Sequence, residues 1–228
     1  MSRDFDGVDD LINYGVNDTF MRENQAMSGV VWVLREGTGG STLFRRLGGA
    51  GQVSAVINST SAGLFRFVVG GATNLDVVSA TSSIANVWQC FAVTWNGTVT
   101  ATNVKLYSNF VEMAYVLQQN MSLPNDNSPA ALTLGNNAAL TSDFDGQLAY
   151  LQIFNRVISL NEIRQCGYAP GSVRDELVAF LPLWGGAREG DYSTTRLSGT
   201  VTGTTVGVNN PPVSTVATIP SPMGFMVC

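Results

Sequence analysis

Short runs in which apolar and polar residues alternate dominate this chain, and turns rich in Gly, Asn, Ser and Thr separate them. Examples are Gln52–Ile57 and Leu64–Val69, and Met27–Leu34 is a further strand-like run that ends in consecutive apolar residues. Alternation with a period of two is typical of a strand that buries one of its faces. The pattern therefore predicts an all-β protein built from many short antiparallel strands.

One segment departs from the strand pattern. After alternating positions over residues 147–153, Ser159 is followed three residues later by Glu162. At this spacing each side chain can accept from a free backbone N–H at the start of a helix. The sequence therefore predicts one short helix near residues 159–166.

The stretch Phe144–Ile163 resembles the closing strand and following helical turn of the laminin G-like, concanavalin A-type jelly roll. The segments F-D-G-V-D-D-L-I at 5–12, W-Q-C-F-A-V-T-W-N-G at 88–97 and V-K-L-Y-S-N at 104–109 resemble earlier strands of that family, in the same order. The resemblance covers residues 3–168. It implies a two-sheet antiparallel jelly-roll sandwich, a fold that carries many different functions.

The strand pattern continues over residues 177–206, and we interpret these strands as completing one domain over residues 1–210. Residues 211–228 contain four prolines, which remove backbone donors and favour an extended chain. We predict an extended C-terminal arm that docks on a neighbouring subunit, with packing on its own sandwich as the alternative. The residues expected to dock are Pro211, Pro212, Val216, Ile219, Met223, Phe225 and Met226.

Charge is sparse along the whole chain. Only 13% of the residues are charged, the formal net charge is −5, and Lys105 is the single lysine. This composition argues against nucleic-acid binding, which depends on neutralising phosphates. No run approaches the roughly 18 apolar residues of a membrane span, and no apolar leader opens the sequence. We therefore expect synthesis in a cytoplasm and a surface that is partly covered by a partner.

The composition also bears on catalysis. The chain has no histidine, which removes the commonest general base and a common metal ligand. Relatives that are glucanases carry closely spaced acidic residues on one strand, and this chain has no such triplet. The densest acidic group is interpreted as a solvated face: Asp4, Asp6, Asp9 and Asp10. We expect no enzymatic activity and assign no catalytic residue.

The resemblance raises the question of a calcium site, because laminin G-like domains often bind calcium through aspartate and loop carbonyl oxygen atoms. The family's aspartate in the closing strand is Ala149 here, and its paired histidines are Gln89 and Cys90. We therefore assign no cofactor and no metal site, and keep Ca²⁺ as an open alternative. If a sugar or calcium binds, the expected loop residues are Asn125, Asp126, Asn127, Asp143 and Asp145.

Cysteines and tryptophans are both expected inside the protein. The three cysteines are far apart and share no metal-ligand spacing, which favours free thiols in a reducing compartment. The tryptophans lie in apolar segments, which favours core positions over sugar-stacking positions. They are Trp32, Trp88, Trp95 and Trp184.

Three classes of function fit these observations. The first is a structural or decoration protein of a bacteriophage virion, which would bind the major capsid protein and copies of itself. Assembly of a virion inside its host would explain a lectin-like sandwich without a leader. The second is a carbohydrate-binding or adhesion module that recognises a cell-surface glycan. The third, a degenerate hydrolase, is disfavoured by the missing acidic triplet.

Overall fold

The alternating segments form strands because one face of each can be buried. In Leu64–Val69, for example, Phe65, Phe67 and Val69 enter the core while Arg66 points away from it. The structure is a computed structural model, and the residues it describes are 1–17, 21–22, 25–37, 41–48, 51–58, 63–124, 130–137 and 140–213.

Within those residues, the chain forms short strands and a single α-helix, α1, at Leu160–Tyr168. The strands are β1 (Ser2–Asp6), β2 (Leu11–Asn17), β3 (Met27–Arg35), β4 (Ser41–Gly48), β5 (Gly51–Asn58), β6 (Leu64–Val69), β7 (Gly71–Thr73), β8 (Leu75–Ser82), β9 (Gln89–Trp95), β10 (Val104–Ser108), β11 (Val111–Glu112), β12 (Tyr115–Gln119), β13 (Ser122–Pro124), β14 (Ala130–Leu134), β15 (Asp145–Phe154), β16 (Leu177–Leu181), β17 (Arg188–Gly190), β18 (Ser198–Thr202) and β19 (Thr205–Gly207).

Two large antiparallel sheets contain nearly all of these strands. Sheet A has the order β11-β10-β9-β3-β15-β1-β19, and β16 pairs with the part of β15 that β1 leaves free. Sheet B has the order β12-β8-β6-β5-β4-β14-β2-β18-β17, and β13 pairs with β7 in a small separate ladder. The predicted all-β, two-sheet jelly roll with one short helix is confirmed.

The main core lies between the two sheets. Phe65 of sheet B and Phe91 of sheet A stack with ring centroids 4.3 Å apart. Phe67 lies 6.0 Å from Trp95 in the same layer, and Phe5 meets Phe144 edge to face at 5.9 Å. The first two aromatic contacts join the sheets across the sandwich.

A second apolar layer covers the outer face of sheet A. The helix α1 starts at the expected capping box, in which Ser159 and Glu162 satisfy each other's backbone N–H groups. It packs over Trp32, whose indole N–H donates to the Gly167 carbonyl at 3.0 Å. Cys90 and Cys166 are buried in this layer as free thiols, as predicted.

The C-terminal strands contribute to both sheets. β16 and β19 belong to sheet A, and β17 and β18 belong to sheet B. After β19, Pro211 is buried and Val213 packs on the second apolar layer, so the segment begins against its own domain. The remaining residues proposed to dock lie outside the described part of the chain, and the assembly arm stays a prediction: Val216, Ile219, Met223, Phe225 and Met226.

Two short strands, β12 and β13, lie between residues 115 and 124. No apolar alternation marks β12 in the sequence, because it is the edge strand of sheet B and its side chains are mostly exposed. Among the described residues, no helix is long and apolar enough to cross a membrane.

Candidate functional site

The residues predicted to hold a ligand have separate environments. Asp143 stays in a loop, where it accepts a hydrogen bond from the side-chain amide of Asn136. Asp145 is not a loop residue, because it opens β15 and pairs in register with Asp6 of β1. The other three lie outside the described residues: Asn125, Asp126 and Asn127.

Asp145 joins a cluster of carboxylates at one end of the sandwich, which we call the acidic end. Besides Asp145, the members of this cluster come from β1, from the turn that follows it and from the residue directly after β3. One oxygen from each of Asp6, Asp9 and Asp10 lies within 4.8 Å of the others. The full set is Asp4, Asp6, Asp9, Asp10, Glu36 and Asp145.

Mutual repulsion is visible in the electrostatics of the acidic end. Partial burial raises the pKa of Asp4, and the neighbouring carboxylates of Glu36 and Asp145 raise it further. Partial burial also raises the pKa of Asp10, with further increases from Asp6 and Asp9. The negative charge at this end therefore opposes folding at neutral pH.

Carboxylate oxygens are the ligands that Ca²⁺ prefers, so Asp6, Asp9 and Asp10 have the right chemistry to hold this ion. Calcium takes six to eight oxygen ligands, and these three side chains supply only part of that number. Asp10 is also engaged already, because it accepts from the Asp6 backbone N–H at 2.8 Å. A bound cation would relieve the repulsion among these carboxylates.

A different surface presents aromatic rings to solvent. Trp184 and Tyr192 are 44% and 56% exposed, and their ring centroids lie 5.3 Å apart. Tyr192 meets the edge of Phe180 at 6.5 Å, and the Arg174 guanidinium lies over the Phe180 ring at 5.7 Å. This strip of rings ends at Phe180, which is buried beneath the Arg174 guanidinium, and we call its exposed pair, Trp184 and Tyr192, the aromatic surface.

The turn after β16 brings Trp184 to the surface. Leu183 has a φ of 61° and Gly185 a φ of 89°, so the backbone is left-handed on both sides of the tryptophan. A non-glycine residue in this region costs about 1–3 kcal/mol and persists only where its surroundings hold it. Leu183 is held because its side chain is fully buried in the main core.

A buried ion pair fixes the same turn. The Glu189 carboxylate accepts from the backbone N–H of Trp184 at 3.2 Å and of Gly185 at 2.8 Å. Arg3 donates to Glu189 at 2.6 Å, and both side chains are only 4% exposed. Arg3 also donates to the carbonyls of Thr204 and Gly186, so the guanidinium ties β1 to the turn that carries Trp184.

A second buried carboxylate positions Tyr192. Asp191 accepts from the backbone N–H of Phe180 and of Ser193, both at 2.8 Å. The Tyr192 N–H itself donates to the Phe180 carbonyl at 2.8 Å. The backbone that carries the two exposed rings is therefore held by hydrogen bonds before any ligand arrives.

The expectation that the tryptophans lie in the core is right for two of them and wrong for Trp184. Trp32 and Trp95 are buried, with exposed fractions of 4% and 0%, and Trp88 is half-buried. Trp184 is exposed because the strand ends three residues before it and the chain turns away at once. The sequence signal for this position was the Gly185–Gly186 pair directly after the tryptophan, which is typical of a turn.

The outer face of sheet B offers a shallower alternative. An open depression of about 400 Å³ lies there, and none of the described residues that line it is charged. Its lining comes from β2 and β18: Leu11, Asn13, Tyr14, Gly15, Ser198, Thr200 and Thr202.

Comparison with known families agrees with this architecture. A laminin G family model, described as the concanavalin A-like lectin/glucanases superfamily, matches residues 6–164. Because the match covers more than half of the sequence, the chain belongs to this superfamily. Among curated proteins, no significant match is found.

Solved structures share the fold at low sequence identity. A Bacteroides ovatus protein of proposed carbohydrate-binding function has a TM-score of 0.66 and 17% identity; the match covers 93% of this chain but 61% of that one. The heptameric pentraxin of Limulus polyphemus has a TM-score of 0.60 and 12% identity, covering 96% and 97%. Domain 4 of the Geobacillus stearothermophilus arabinanase AbnA, in complex with arabinotriose, has a TM-score of 0.56 and 19% identity. That match covers 71% of this chain and 74% of that one. This chain therefore spans less than two thirds of the first of these proteins.

Proposed function

We propose that this protein is a non-catalytic carbohydrate-binding module that binds a glycan on the aromatic surface. The observation that carries the proposal is the exposed pair Trp184 and Tyr192, which buried carboxylates hold in a fixed arrangement. One face of a sugar ring presents C–H groups, and such a face stacks on an aromatic ring. The ring hydroxyls remain free to bond with water or polar side chains.

The size of the surface favours a glycan over a protein partner. A specific protein interface buries about 800 Å² on each partner. Two half-exposed rings supply only a small part of that area, whereas they match the face of a short oligosaccharide. Rigid rings also lose little conformational entropy on binding, because their positions are already fixed.

The absence of catalysis is part of the proposal. The chain has no histidine, and the aromatic surface contains no carboxylate aligned to attack or protonate a glycosidic bond. Asp191 and Glu189 lie beneath it, but both are buried and bonded to backbone N–H groups. At the acidic end, Asp10 likewise accepts from a backbone N–H, that of Asp6.

Binding to a panel of immobilised neutral and acidic oligosaccharides tests this function. We expect the chain to bind members of the panel, and a Trp184→Ala, Tyr192→Ala double variant to lose at least about tenfold in affinity. Tyr168→Ala is the matched control, because Tyr168 is an equally exposed ring outside the aromatic surface. Equal loss in the control, or unchanged binding in the double variant, contradicts the proposed site.

A role in a bacteriophage particle is the second candidate, with copies of the chain or the major capsid protein as partners. It is favoured by the end of sheet A, where Val206 lies on the edge strand β19 and Val208 is 88% exposed just before Pro211. Edge strands offer unpaired backbone groups to another chain. Native mass spectrometry should then show an oligomer that a Val206→Thr, Val208→Thr variant loses. A monomeric parent protein argues against assembly through this edge.

A further inference from the structure

We propose that Arg174 makes the aromatic surface selective for acidic glycans, by pairing with a carboxylate or sulfate group of the bound sugar. The inference rests on the proposed function and names the ligand class of the same site. It depends on three features of Arg174: its position at the end of the aromatic strip, its orientation, and the lack of an acidic partner within the described residues.

The spacing of the rings defines the position of Arg174. The ring centroids of Trp184 and Tyr192 lie 5.3 Å apart, and those of Tyr192 and Phe180 lie 6.5 Å apart. The Arg174 guanidinium lies 5.7 Å beyond, measured from the Phe180 centroid. Each step is comparable to the width of one sugar ring. A sugar on Trp184 and Tyr192 would therefore place its next residue, or a substituent, beside the guanidinium, which covers the buried Phe180 ring.

Orientation is fixed by two weak contacts. The guanidinium lies over the Phe180 ring, and one of its amino groups donates to the Tyr192 carbonyl at 3.4 Å. Its other N–H groups make no hydrogen bond to the described residues, so they stay available to a ligand. A planar guanidinium presents paired donors that match the two oxygens of a carboxylate or sulfate.

The acid that follows Arg174 in the sequence pairs with another arginine. Asp175 follows Arg174 directly, but its carboxylate pairs with Arg156 at 3.2 Å. Arg156 also pairs with Glu162 at 2.5 Å, which completes a separate network. Among the described residues, no carboxylate lies within 4 Å of the Arg174 guanidinium. On a chain with a net charge of −5, a cation that has no acidic partner among the described residues and that lies next to the exposed Tyr192 marks a place for an external anion.

Matched sugar pairs test the inference on the full chain. Calorimetry would compare sialyllactose with lactose, galacturonate oligomers with their methyl esters, and sulfated with unsulfated oligosaccharides. We expect the acidic member of at least one pair to bind about five- to tenfold more tightly, as charge-assisted hydrogen bonds at a partly exposed site predict. The preference should shrink at high salt, because ions screen the pair.

Three variants test whether the preference for acidic sugars depends on Arg174 itself or on the net charge of the protein. Arg174→Ala should lower the affinity for the acidic member to that for the neutral member, and Arg174→Lys should restore part of the preference. Lys105→Ala is the control for net charge, because Lys105 lies on β10, four strands from β16 and about 19 Å away at normal strand spacing. Lys105→Ala should keep the preference.

The outcomes distinguish the inference from the function beneath it. Binding of neutral and acidic members with equal affinity, or a preference that survives Arg174→Ala, overturns the role of Arg174 and leaves the glycan-binding function standing. Failure of the parent protein to bind any sugar in the panel overturns both. Loss of preference in Lys105→Ala as well would show that net charge, rather than Arg174, is responsible.

Discussion

The ion pair between Arg3 and Glu189 supports the strongest prediction about stability. Replacing Glu189 with Gln keeps the size of the side chain and one oxygen acceptor but removes its charge. Arg3 would then remain buried without a counter-ion, because its other partners in the structure are the backbone carbonyls of Thr204 and Gly186. The change also weakens the acceptor for the N–H groups of Trp184 and Gly185.

The magnitude follows from the burial of the pair. Both side chains are only 4% exposed, so solvent cannot replace the lost partner. Breaking a buried ion pair from one side costs about 3–5 kcal/mol, because an uncompensated charge is left inside the protein. A domain of this size shifts its Tm by about 2–4 °C for each kcal/mol, so Glu189→Gln should lower the Tm by roughly 10 °C.

Denaturant unfolding followed by circular dichroism would measure the effect, with an Arg3→Met, Glu189→Met double variant beside the single one. The double variant should be more stable than Glu189→Gln, because it removes both buried charges together. A loss of less than about 1 kcal/mol in Glu189→Gln would refute the reasoning, since such a value is typical of an exposed pair. A double variant less stable than the single one would show that packing, rather than charge, dominates.

Three smaller predictions follow from other parts of the fold. Asp4→Asn should raise the Tm at pH 7 but not at pH 3. The pKa of Asp4 is raised in the folded protein, so its charged carboxylate destabilises the fold only when the pH is above the ordinary aspartate pKa of 3.8. Arg156 and the helix cap lower the pKa of Glu162 to about 2, so Glu162→Gln should cost roughly 1 kcal/mol at pH 7. That loss should fade as the pH falls from 4.5 towards 2, and a loss unchanged at pH 2 would contradict it. Phe91→Ala should cost about 3–5 kcal/mol in denaturant unfolding, because it leaves a cavity beside Phe65.

Local signals in the sequence were sufficient for much of the fold. The pattern of apolar and polar residues located β3, β5 and β6, and the spacing of Ser159 and Glu162 located α1. Pairing partners could not be predicted in this way. β16 pairs with one half of β15 while β1 pairs with the other, an arrangement set by contacts between distant segments.

The candidate site was harder to predict for the same reason. The aspartates of the acidic end are close in sequence, but Asp145 and Glu36 join them only through strand register. The aromatic surface depends on Glu189 and Asp191, which look like ordinary surface residues in the sequence. Their burial, and the exposure of Trp184, appear only once the chain is folded.

Nuclear magnetic resonance of the tryptophan indole N–H groups tests glycan binding on the aromatic surface most directly. The indoles of Trp32 and Trp95 donate to backbone carbonyls inside the protein and serve as internal controls. Titration with a glycan bound by the chain should shift or broaden the Trp184 indole signal, assigned through Trp184→Phe, and leave those two controls in place. A glycan that binds while the Trp184 signal stays unchanged would contradict the account.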